Sequence, residues 1–258
     1  IGPAVPPRRP GCEHSIGRPS GGVVTRITEH LGLIKARVAA AARAAGRPAD
    51  AVTLLGVAKG QPAAAVAAAA GAGLVHVGEN YAREGLAKIA ELAALRRELV
   101  WHFIGRLQSN KTAAVAAAFD WVQTVTDARL ATRLSAQRPF HGPALQVCIQ
   151  LAPAAGDAAD RSGCPAAELP ALAAHIAGLP RLRLRGLMLL PAAGLDGEAL
   201  RGEFRRAAGL LAALRTAGHD VDTLSCGMSG DFELAIAEGS TLVRIGTALF
   251  GPRPGKDA

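Results

Sequence analysis

A single lysine stands where a long apolar run ends. The stretch TLLGVAKGQP, residues 53–62, is apolar up to Lys59 and is then interrupted by Gly60 and Pro62. A lysine at the edge of an apolar core is partly desolvated, which disfavours its charged form and makes its amine a nucleophile toward aldehydes. A structural lysine, with its stem packed and its head in water, is the competing interpretation. The neighbouring motifs have to decide between the two.

Two glycine-rich stretches near the C-terminal end have the composition of an anion site. They are CGMSGD, residues 226–231, and RIGTALFG, residues 244–251. Ser229 and Thr247 offer hydroxyl groups, and Gly246 lets a phosphate approach the backbone amides closely. An ordinary turn remains the alternative for each stretch taken alone.

An aldehyde-reactive lysine together with a phosphate site is what pyridoxal 5′-phosphate requires, with the pyridine ring between them. Arg244, at the start of the second glycine-rich stretch, could lie at the pyridine nitrogen. Because arginine stays protonated, it would keep that nitrogen unprotonated and weaken the ring as an electron sink. This pattern favours simple carriage or proton exchange over deep carbanion stabilisation.

Alternating strand and helix patterns must position these residues. A first helix is predicted over residues 25–46 with Thr25 as its N-cap, and further helices at 62–72, 81–97, 127–137, 166–177 and 198–217. Strands are predicted at 52–58, 74–77, 100–104, 120–125, 144–151, 182–189, 222–226 and 241–246. Regular alternation implies a parallel sheet. At this length we predict an α/β fold, a single (β/α)8 TIM barrel with an extra N-terminal helix, rather than an open doubly wound sheet.

Such a barrel would collect the candidate residues on one rim, because its active sites lie at the C-terminal ends of the strands. Lys59 ends the first strand, Asn80 follows the second, Ser229 follows the seventh and Arg244 lies in the eighth. The first and last strands are neighbours in a closed barrel. Lys59 and Arg244 are therefore expected to be close despite their distance along the chain.

Other polar residues near the predicted rim allow two interpretations each. His102 could act in acid–base chemistry, but it lies within a strand pattern and is equally consistent with a hydrogen-bonded core histidine. Glu79 could act likewise or could pair with a cation, and Glu84 and Lys88 form an i,i+4 pair. Tyr81, the one tyrosine, is expected to be a wall of the site rather than a catalyst.

The composition of the chain limits the kinds of partner and the cellular location that we expect. The net charge is +8, but no basic stripe with interleaved aromatic residues is present, so we expect no nucleic acid partner. No apolar stretch reaches the ~20 residues of a membrane helix, so we expect no membrane span. The four cysteines are far apart, which argues against a zinc module or a disulfide scaffold, predicts no metal and fits a cytoplasmic location.

Residues 1–24 are predicted to be a disordered leader, 25–253 the cofactor-binding barrel domain and 254–258 a C-terminal tail.

Five motifs occur together and in a fixed order: LLGVAKGQP, VGENYAREGLAKI, WHFIGRLQSNK, GLMLL and LSCGMSGDFELAIAEGSTLVRIGTALFG. This set resembles the YggS/PROSC family of pyridoxal phosphate homeostasis proteins, which is related in fold to the N-terminal barrel of alanine racemase. The resemblance covers about residues 25–253 and implies pyridoxal 5′-phosphate as cofactor.

Carried over by position, the resemblance implies specific roles. Lys59 would form a Schiff base with the cofactor, and Arg244 would face the pyridine nitrogen. The phosphate would be held by Ser229, Gly246 and Thr247, and the ring would be lined by Asn80 and Met228. The family usually has Ser-Lys-Thr where this chain has Ala58-Lys59-Gly60, and His or Pro where it has Arg106.

Three functions stay open. The resemblance implies a non-catalytic, monomeric protein that stores, buffers or delivers the cofactor, with apo forms of pyridoxal-phosphate enzymes as potential partners. The alternative is an amino-acid racemase of the alanine racemase type. We expect little racemisation, because the few residues after the eighth strand leave no room for the β domain from which alanine racemase takes a catalytic tyrosine. A Schiff-base aldolase acting on a sugar phosphate is the third possibility.

Overall fold

The computed structural model, which describes residues 21–154 and 162–253, contains a closed barrel of eight parallel strands. The strands are β1 (Thr53–Val57), β2 (His76–Glu79), β3 (Val100–Phe103), β4 (Trp121–Val125), β5 (Leu145–Leu151), β6 (Leu182–Leu189), β7 (Thr223–Ser225) and β8 (Leu242–Ile245). Each strand pairs with the next along the chain, and β8 pairs with β1 so that Leu55 lies opposite Arg244. The predicted (β/α)8 fold is confirmed.

Helices surround the barrel. They are α1 (Gly21–Ala44), α2 (Ala63–Gly71), α3 (Ala82–Glu91), α4 (Thr112–Ala118), α5 (Ala128–Gln137), α6 (Leu169–Ala177), α7 (Gly197–Thr216), α8 (Phe232–Ala237) and α9 (Thr247–Phe250). The extra helix α1 buries a stripe with helical spacing, formed by Ile27, Leu31, Ile34, Val38 and Ala42. It packs beside α2, α8 and α9. Within the described residues, no helix combines the length and apolarity needed to cross a bilayer.

Several predicted boundaries were wrong; for example, the helix predicted at 81–97 ends at Glu91. Helix α1 begins at Gly21, so Thr25 lies inside the helix instead of capping it, and residues 21–24 of the predicted leader are helical. Strand β2 begins at His76 instead of residue 74, because Leu74 closes the end of α2: its amide donates to the carbonyl of Ala69 while Gly73 adopts a φ of +87°. This is the Schellman arrangement at a helix end. The rest of the predicted leader and the tail lie outside the described residues.

The core between strands and helices is apolar, whereas part of the barrel interior is polar. Trp101 and Phe103 of β3 belong to the main apolar cluster. His102 lies between them in sequence and faces the opposite side of the strand, as alternation along a strand requires. It is fully buried and stacks on Trp121, with ring centroids 4.9 Å apart. The barrel interior therefore carries hydrogen-bonding groups below the mouth.

We predict that Gly186→Ala weakens the barrel. Gly186 has a φ of +148°, and a Cβ atom there would lie 1.9 Å from the carbonyl oxygen of Thr223, its partner in β7. The substitution should lower the free energy of unfolding by about 2–4 kcal/mol, since both the backbone conformation and the strand pairing must yield. Urea denaturation followed by circular dichroism measures the change. Gly202→Ala, in open space on α7, is the matched control and should raise stability by about 0.5–1 kcal/mol. Equal stabilities of the two variants would contradict this account.

Candidate functional site

Lys59 lies in the turn that follows β1 and is half-buried. The next residue, Gly60, has a φ of +70°, a conformation that side chains with a Cβ rarely adopt. Gln61 is buried, and its Nε2 donates to the carbonyl oxygens of Gly251 and Pro252, each at 3.3 Å. The turn that carries Lys59 is thereby tied to the segment that follows α9.

The first glycine-rich stretch forms a turn after β7. The amide of Asp231 donates to the carbonyl of Met228 at 3.1 Å, and the Asp231 side chain accepts from the Met228 amide. Ser229 and Gly230, at the tip of this turn, have amides with no hydrogen-bond acceptor within the described part of the chain. Met228 is 43% exposed. The turn therefore presents two donors and the Met228 side chain.

The second stretch follows β8. Gly246 immediately precedes α9, and Thr247 is its exposed first residue. The first amides of a helix have no partner inside the helix. A Cβ on Gly246 would lie 3.4 Å from the carbonyl oxygen of Val57, so Gly246 lies against the last residue of β1. The end of β8 and the Lys59 turn are thus in adjacent positions on the mouth, as strand closure predicts.

Arg244 lies in the barrel interior and is only 4% exposed. Its Nη1 donates to the carbonyl oxygen and to Oγ of Ser225, at 2.7 and 2.8 Å, and its Nη2 donates to the carbonyl oxygen of Leu189 at 2.9 Å. Burial lowers the pKa of Arg244 from its usual value, but a guanidinium remains protonated at neutral pH. Arg244 is a fixed donor anchored on β6 and β7.

A chain of hydrogen bonds leads from Arg244 across the barrel. Ser225 Oγ donates to Gln123 Oε1 at 2.6 Å, and Gln123 Nε2 contacts His102 Nδ1 at 2.9 Å. An amide nitrogen only donates, so His102 Nδ1 is the acceptor and its proton lies on Nε2. That nitrogen is 2.9 Å from Nδ1 of His76. We call these five residues the interior relay; all its donors point from Arg244 toward His76.

The relay decides between the two interpretations of His102. Burial lowers the pKa of His102 well below its usual value, with smaller contributions from His76 and Arg185 in the same direction. Both ring nitrogens are engaged, and the residue is fully buried. His102 is a neutral core histidine that holds Gln123 and His76, and the acid–base interpretation was wrong.

Glu79 and Lys88 form a buried ion pair under the end of β2. Glu79 is fully buried, and its Oε1 accepts from Lys88 Nζ at 2.7 Å. Burial raises the pKa of Glu79 to about 7 despite this bond. Lys88 also bonds Glu84 at 2.6 Å, so the predicted i,i+4 pair and the predicted cation partner of Glu79 are both present. Tyr81 is 64% exposed just before α3.

A cavity of about 1210 Å³ opens on the β2–β5 side of the mouth. Asn80 lines it, and the Oδ1 atom of Asn80 is buried with no partner among the described residues. Arginine side chains also line the cavity; they are Arg106, Arg129 and Arg133. No group of three or more His, Cys, Asp or Glu residues within the described ranges is arranged to hold a metal ion.

Sequence reasoning missed the relay members Gln123, Ser225 and His76, and the contact of Lys88 with the turn that follows β1. A usable signal existed for the relay, because Gln123 and Ser225 are polar residues inside otherwise buried strands. Buried polar side chains are normally hydrogen-bonded to one another or to the backbone. No pattern in the sequence pairs residues on different strands.

Comparison with known proteins gives a consistent result. The family described as "Alanine racemase, N-terminal domain" matches residues 30–254. The "Pyridoxal phosphate homeostasis protein" of Pseudomonas aeruginosa is 50% identical over 89% of this chain and 97% of its own length. The protein of the same name from Escherichia coli K12 is 48% identical over 88% of this chain and 97% of its own length.

Solved structures agree. PipY of Synechococcus elongatus, solved with PLP bound, is 37% identical, with a TM-score of 0.72 over 87% of this chain and all of PipY. An unknown protein from Bifidobacterium adolescentis is 33% identical, with a TM-score of 0.84 over 90% of this chain and 97% of that one. Alanine racemase from Corynebacterium glutamicum is 17% identical, with a TM-score of 0.63 over 91% of this chain and 63% of the racemase. This match shows similarity of fold alone.

We predict that His102 makes stability fall as the solution becomes acidic. Its pKa in the folded state lies below the ordinary value of about 6.5, so below that pH the unfolded chain binds a proton that the folded chain does not. The free energy of unfolding should lose up to about 1.4 kcal/mol per pH unit from this residue between pH 6.5 and 5. His102→Gln should be less stable and should lack this part of the slope.

Urea denaturation at pH 5, 6 and 7 measures how the free energy of unfolding depends on pH in the native protein and in His102→Gln. Glu79, whose raised pKa acts in the opposite direction, is present in both proteins and cancels in the difference. His141→Gln removes an exposed histidine and controls for the loss of one imidazole. Parallel curves for the native protein and His102→Gln would show that His102 does not carry the effect.

Proposed function

Because the chain belongs to the family of pyridoxal phosphate homeostasis proteins, we propose that it binds pyridoxal 5′-phosphate as a Schiff base on Lys59 and stores, buffers or delivers it. The family membership rests on relatives at 50% and 48% identity that align over nearly their whole length. A relative at 37% identity has been solved with PLP bound. The cofactor is therefore a property of this family, and the residues assigned to it here are our proposal.

The observation that carries the assignment is the adjacency of the β1 turn and the β8 turn. Gly246 lies against Val57, two residues before Lys59, and the hydroxyl of Thr247 follows directly. The turn that carries Lys59 and the start of α9 are thus side by side at the mouth, which supports the assignment. We assign the phosphate to Ser229, Gly246 and Thr247.

The chemistry of the other candidate residues fits the cofactor. The buried Oδ1 atom of Asn80 has no partner among the described residues, and a bound ligand can satisfy such an atom. We place Asn80 and Met228 along the ring and Arg244 at its nitrogen. Arg244 is the one cationic side chain of the interior relay. It is therefore a single fixed donor that lies below the mouth.

Pyridoxal 5′-phosphate supplies an aldehyde that condenses with a primary amine and a ring that withdraws electrons from the condensed amine. Lys59 provides the amine in its uncharged form, since only that form is a nucleophile. Arg244 keeps its proton, as a guanidinium does at neutral pH, and three neutral oxygen acceptors hold it in place. A ring nitrogen that only accepts a hydrogen bond withdraws electrons weakly, which favours holding the cofactor over transforming an amino acid.

The positions of the candidate acid–base groups also support a carrier. Tyr81 is largely exposed, His102 is locked in the relay, and Glu79 is paired with Lys88. We propose further that the protein is a cytoplasmic monomer that can pass its cofactor to apo forms of pyridoxal-phosphate enzymes. The open cavity beside Asn80 leaves the mouth accessible for such a transfer.

We predict that protein mixed with pyridoxal 5′-phosphate and freed of excess shows the absorption band of a lysine-bound cofactor. Borohydride should remove the band and leave the cofactor on the peptide that contains Lys59, as mass spectrometry would show. Lys59→Ala should lose the band, while Lys111→Ala, at an exposed lysine beyond β3, should keep it. The spectrum of the protein as isolated, before cofactor is added, tests the aldolase alternative, because a Schiff-base aldolase would show no such band. An unlabelled Lys59 in a protein that retains the band would refute the assignment.

We predict that the loaded protein racemises L-alanine no faster than free pyridoxal 5′-phosphate at the same concentration. The reason is that racemisation needs an acid–base group on each face of the substrate, and the candidates above are exposed or already paired. Polarimetry or chiral chromatography follows the reaction. Rapid racemisation that is abolished by Lys59→Ala would replace the carrier with the racemase alternative.

A further inference from the structure

We propose that Lys88, on α3, is a positioning residue that fixes the direction of Lys59 by holding the peptide groups on both sides of it. The inference rests on the proposed function in one respect, since it takes Lys59 as the amine that binds the cofactor. We call Lys88, Glu79 and Glu84, with the backbone groups that they hold, the α3 clamp.

The first contact of the clamp lies on the N-terminal side of Lys59. Lys88 Nζ donates to the carbonyl oxygen of Ala58 at 2.6 Å. Ala58 is fully buried, and the Lys88 side chain is 7% exposed. The same carbonyl accepts from the amide of Gln61 at 3.0 Å, which closes the turn. A hydrogen bond from a charged donor is stronger than a neutral one, and burial shields it from water.

The second contact lies on the C-terminal side. Glu84 Oε1 accepts from Lys88 Nζ at 2.6 Å and from the amide of Gly60 at 2.5 Å. Gly60 has a positive φ and no Cβ, so this residue by itself does little to restrict the turn. Contacts from α3 add to the restriction that Gln61 provides through its bonds to the segment after α9. The peptide groups before and after Lys59 are therefore held by the same ammonium, one directly and one through a carboxylate.

The third contact gives the ammonium a single orientation. Lys88 Nζ donates to Glu79 Oε1 at 2.7 Å, and Glu79 is fully buried. An ammonium has three N–H donors, and Ala58, Glu79 and Glu84 account for all three. With an acceptor for each N–H, the position of the nitrogen is fixed on three sides. The pair of carboxylates also compensates the buried charge.

A purely structural ion pair would stabilise the protein without affecting Lys59, so the test has to separate local order from global stability. The variant Lys88→Met keeps a long apolar stem and removes all three donors. Its matched control is Lys35→Met, because Lys35 Nζ also donates to a turn carbonyl, that of Gly73 at 2.9 Å, away from Lys59. Three measurements are compared, all on the full chain.

The first measurement needs no cofactor. Amide hydrogen exchange at Gly60 should become at least tenfold faster in Lys88→Met, while the amides of Val147 and Ile149 in β5 report any global loss of stability. In the second, pyridoxal 5′-phosphate is added and the rate of borohydride-fixed labelling of Lys59 should fall about tenfold. In the third, the absorption band of the lysine-bound cofactor is recorded before borohydride is added, and its maximum should shift in Lys88→Met. Lys35→Met should resemble the native protein in all three.

The possible outcomes distinguish a positioning role of the α3 clamp from a purely structural one. If Gly60 exchange in Lys88→Met rises only as much as exchange in β5, and the labelling rate and absorption maximum are native, the clamp has no positioning role. If the native protein binds no cofactor, the proposed function fails, and Gly60 exchange alone decides whether the clamp orders the turn. If Lys88→Met does not fold, Glu84→Gln weakens the links of Glu84 to Gly60 and to Lys88 and leaves the bonds of Lys88 to Ala58 and Glu79 in place. Faster exchange at Gly60 with unchanged exchange in β5 is then the supporting result, and native exchange at Gly60 the opposing one.

Discussion

The pairing of β1 with β8 is the constraint on which the candidate site depends. It places Leu55 opposite Arg244 and Gly56 opposite Ile245, so the turns that follow the first and last strands emerge side by side. Lys59 lies in one turn, and Gly246 and Thr247 lie in the other. In an open sheet these strands need not be neighbours, and Lys59 would then lie far from Gly246 and Thr247, the residues that we propose bind the phosphate. Closure of the barrel thus creates the site from two distant parts of the chain.

Beneath the mouth, polar side chains replace the apolar filling that a barrel interior commonly has. An unpaired polar group in this place would cost about 1–3 kcal/mol, and the interior relay pairs its members in sequence from Arg244 to His76. Every member orients the next one. The guanidinium of Arg244 is therefore held from β6 and β7 and not by the strand that carries it alone. A rigid base of this kind suits a site that must present one donor in a constant direction.

The second strand and the helix after it act on the other side of the mouth. Glu84 and Lys88, on α3, reach the turn that follows β1. Glu79, at the end of β2, holds Lys88 in that position. The relay and the α3 clamp share no residue, so Arg244 and the turn that carries Lys59 are positioned by independent sets of contacts. Between them, Asn80 borders the open cavity with its arginine-lined wall. The arrangement combines a fixed binding side, at β8, β1 and β2, with an accessible side at β3 to β5.

The sequence by itself determined the fold, the order of the strands and the positions of Lys59, Ser229, Gly246 and Thr247 after their strands, because periodicity is local and barrel closure makes rim positions follow from chain order. It placed the start of β2 two residues early, since Leu74 has strand-like character but its amide is used by the end of α2. Only the tertiary structure decided that His102 is a core residue and that Lys88 holds Ala58. Those outcomes depend on which atoms meet across strands and helices, and distances of that kind are set by packing in three dimensions, which spacing along the chain does not encode.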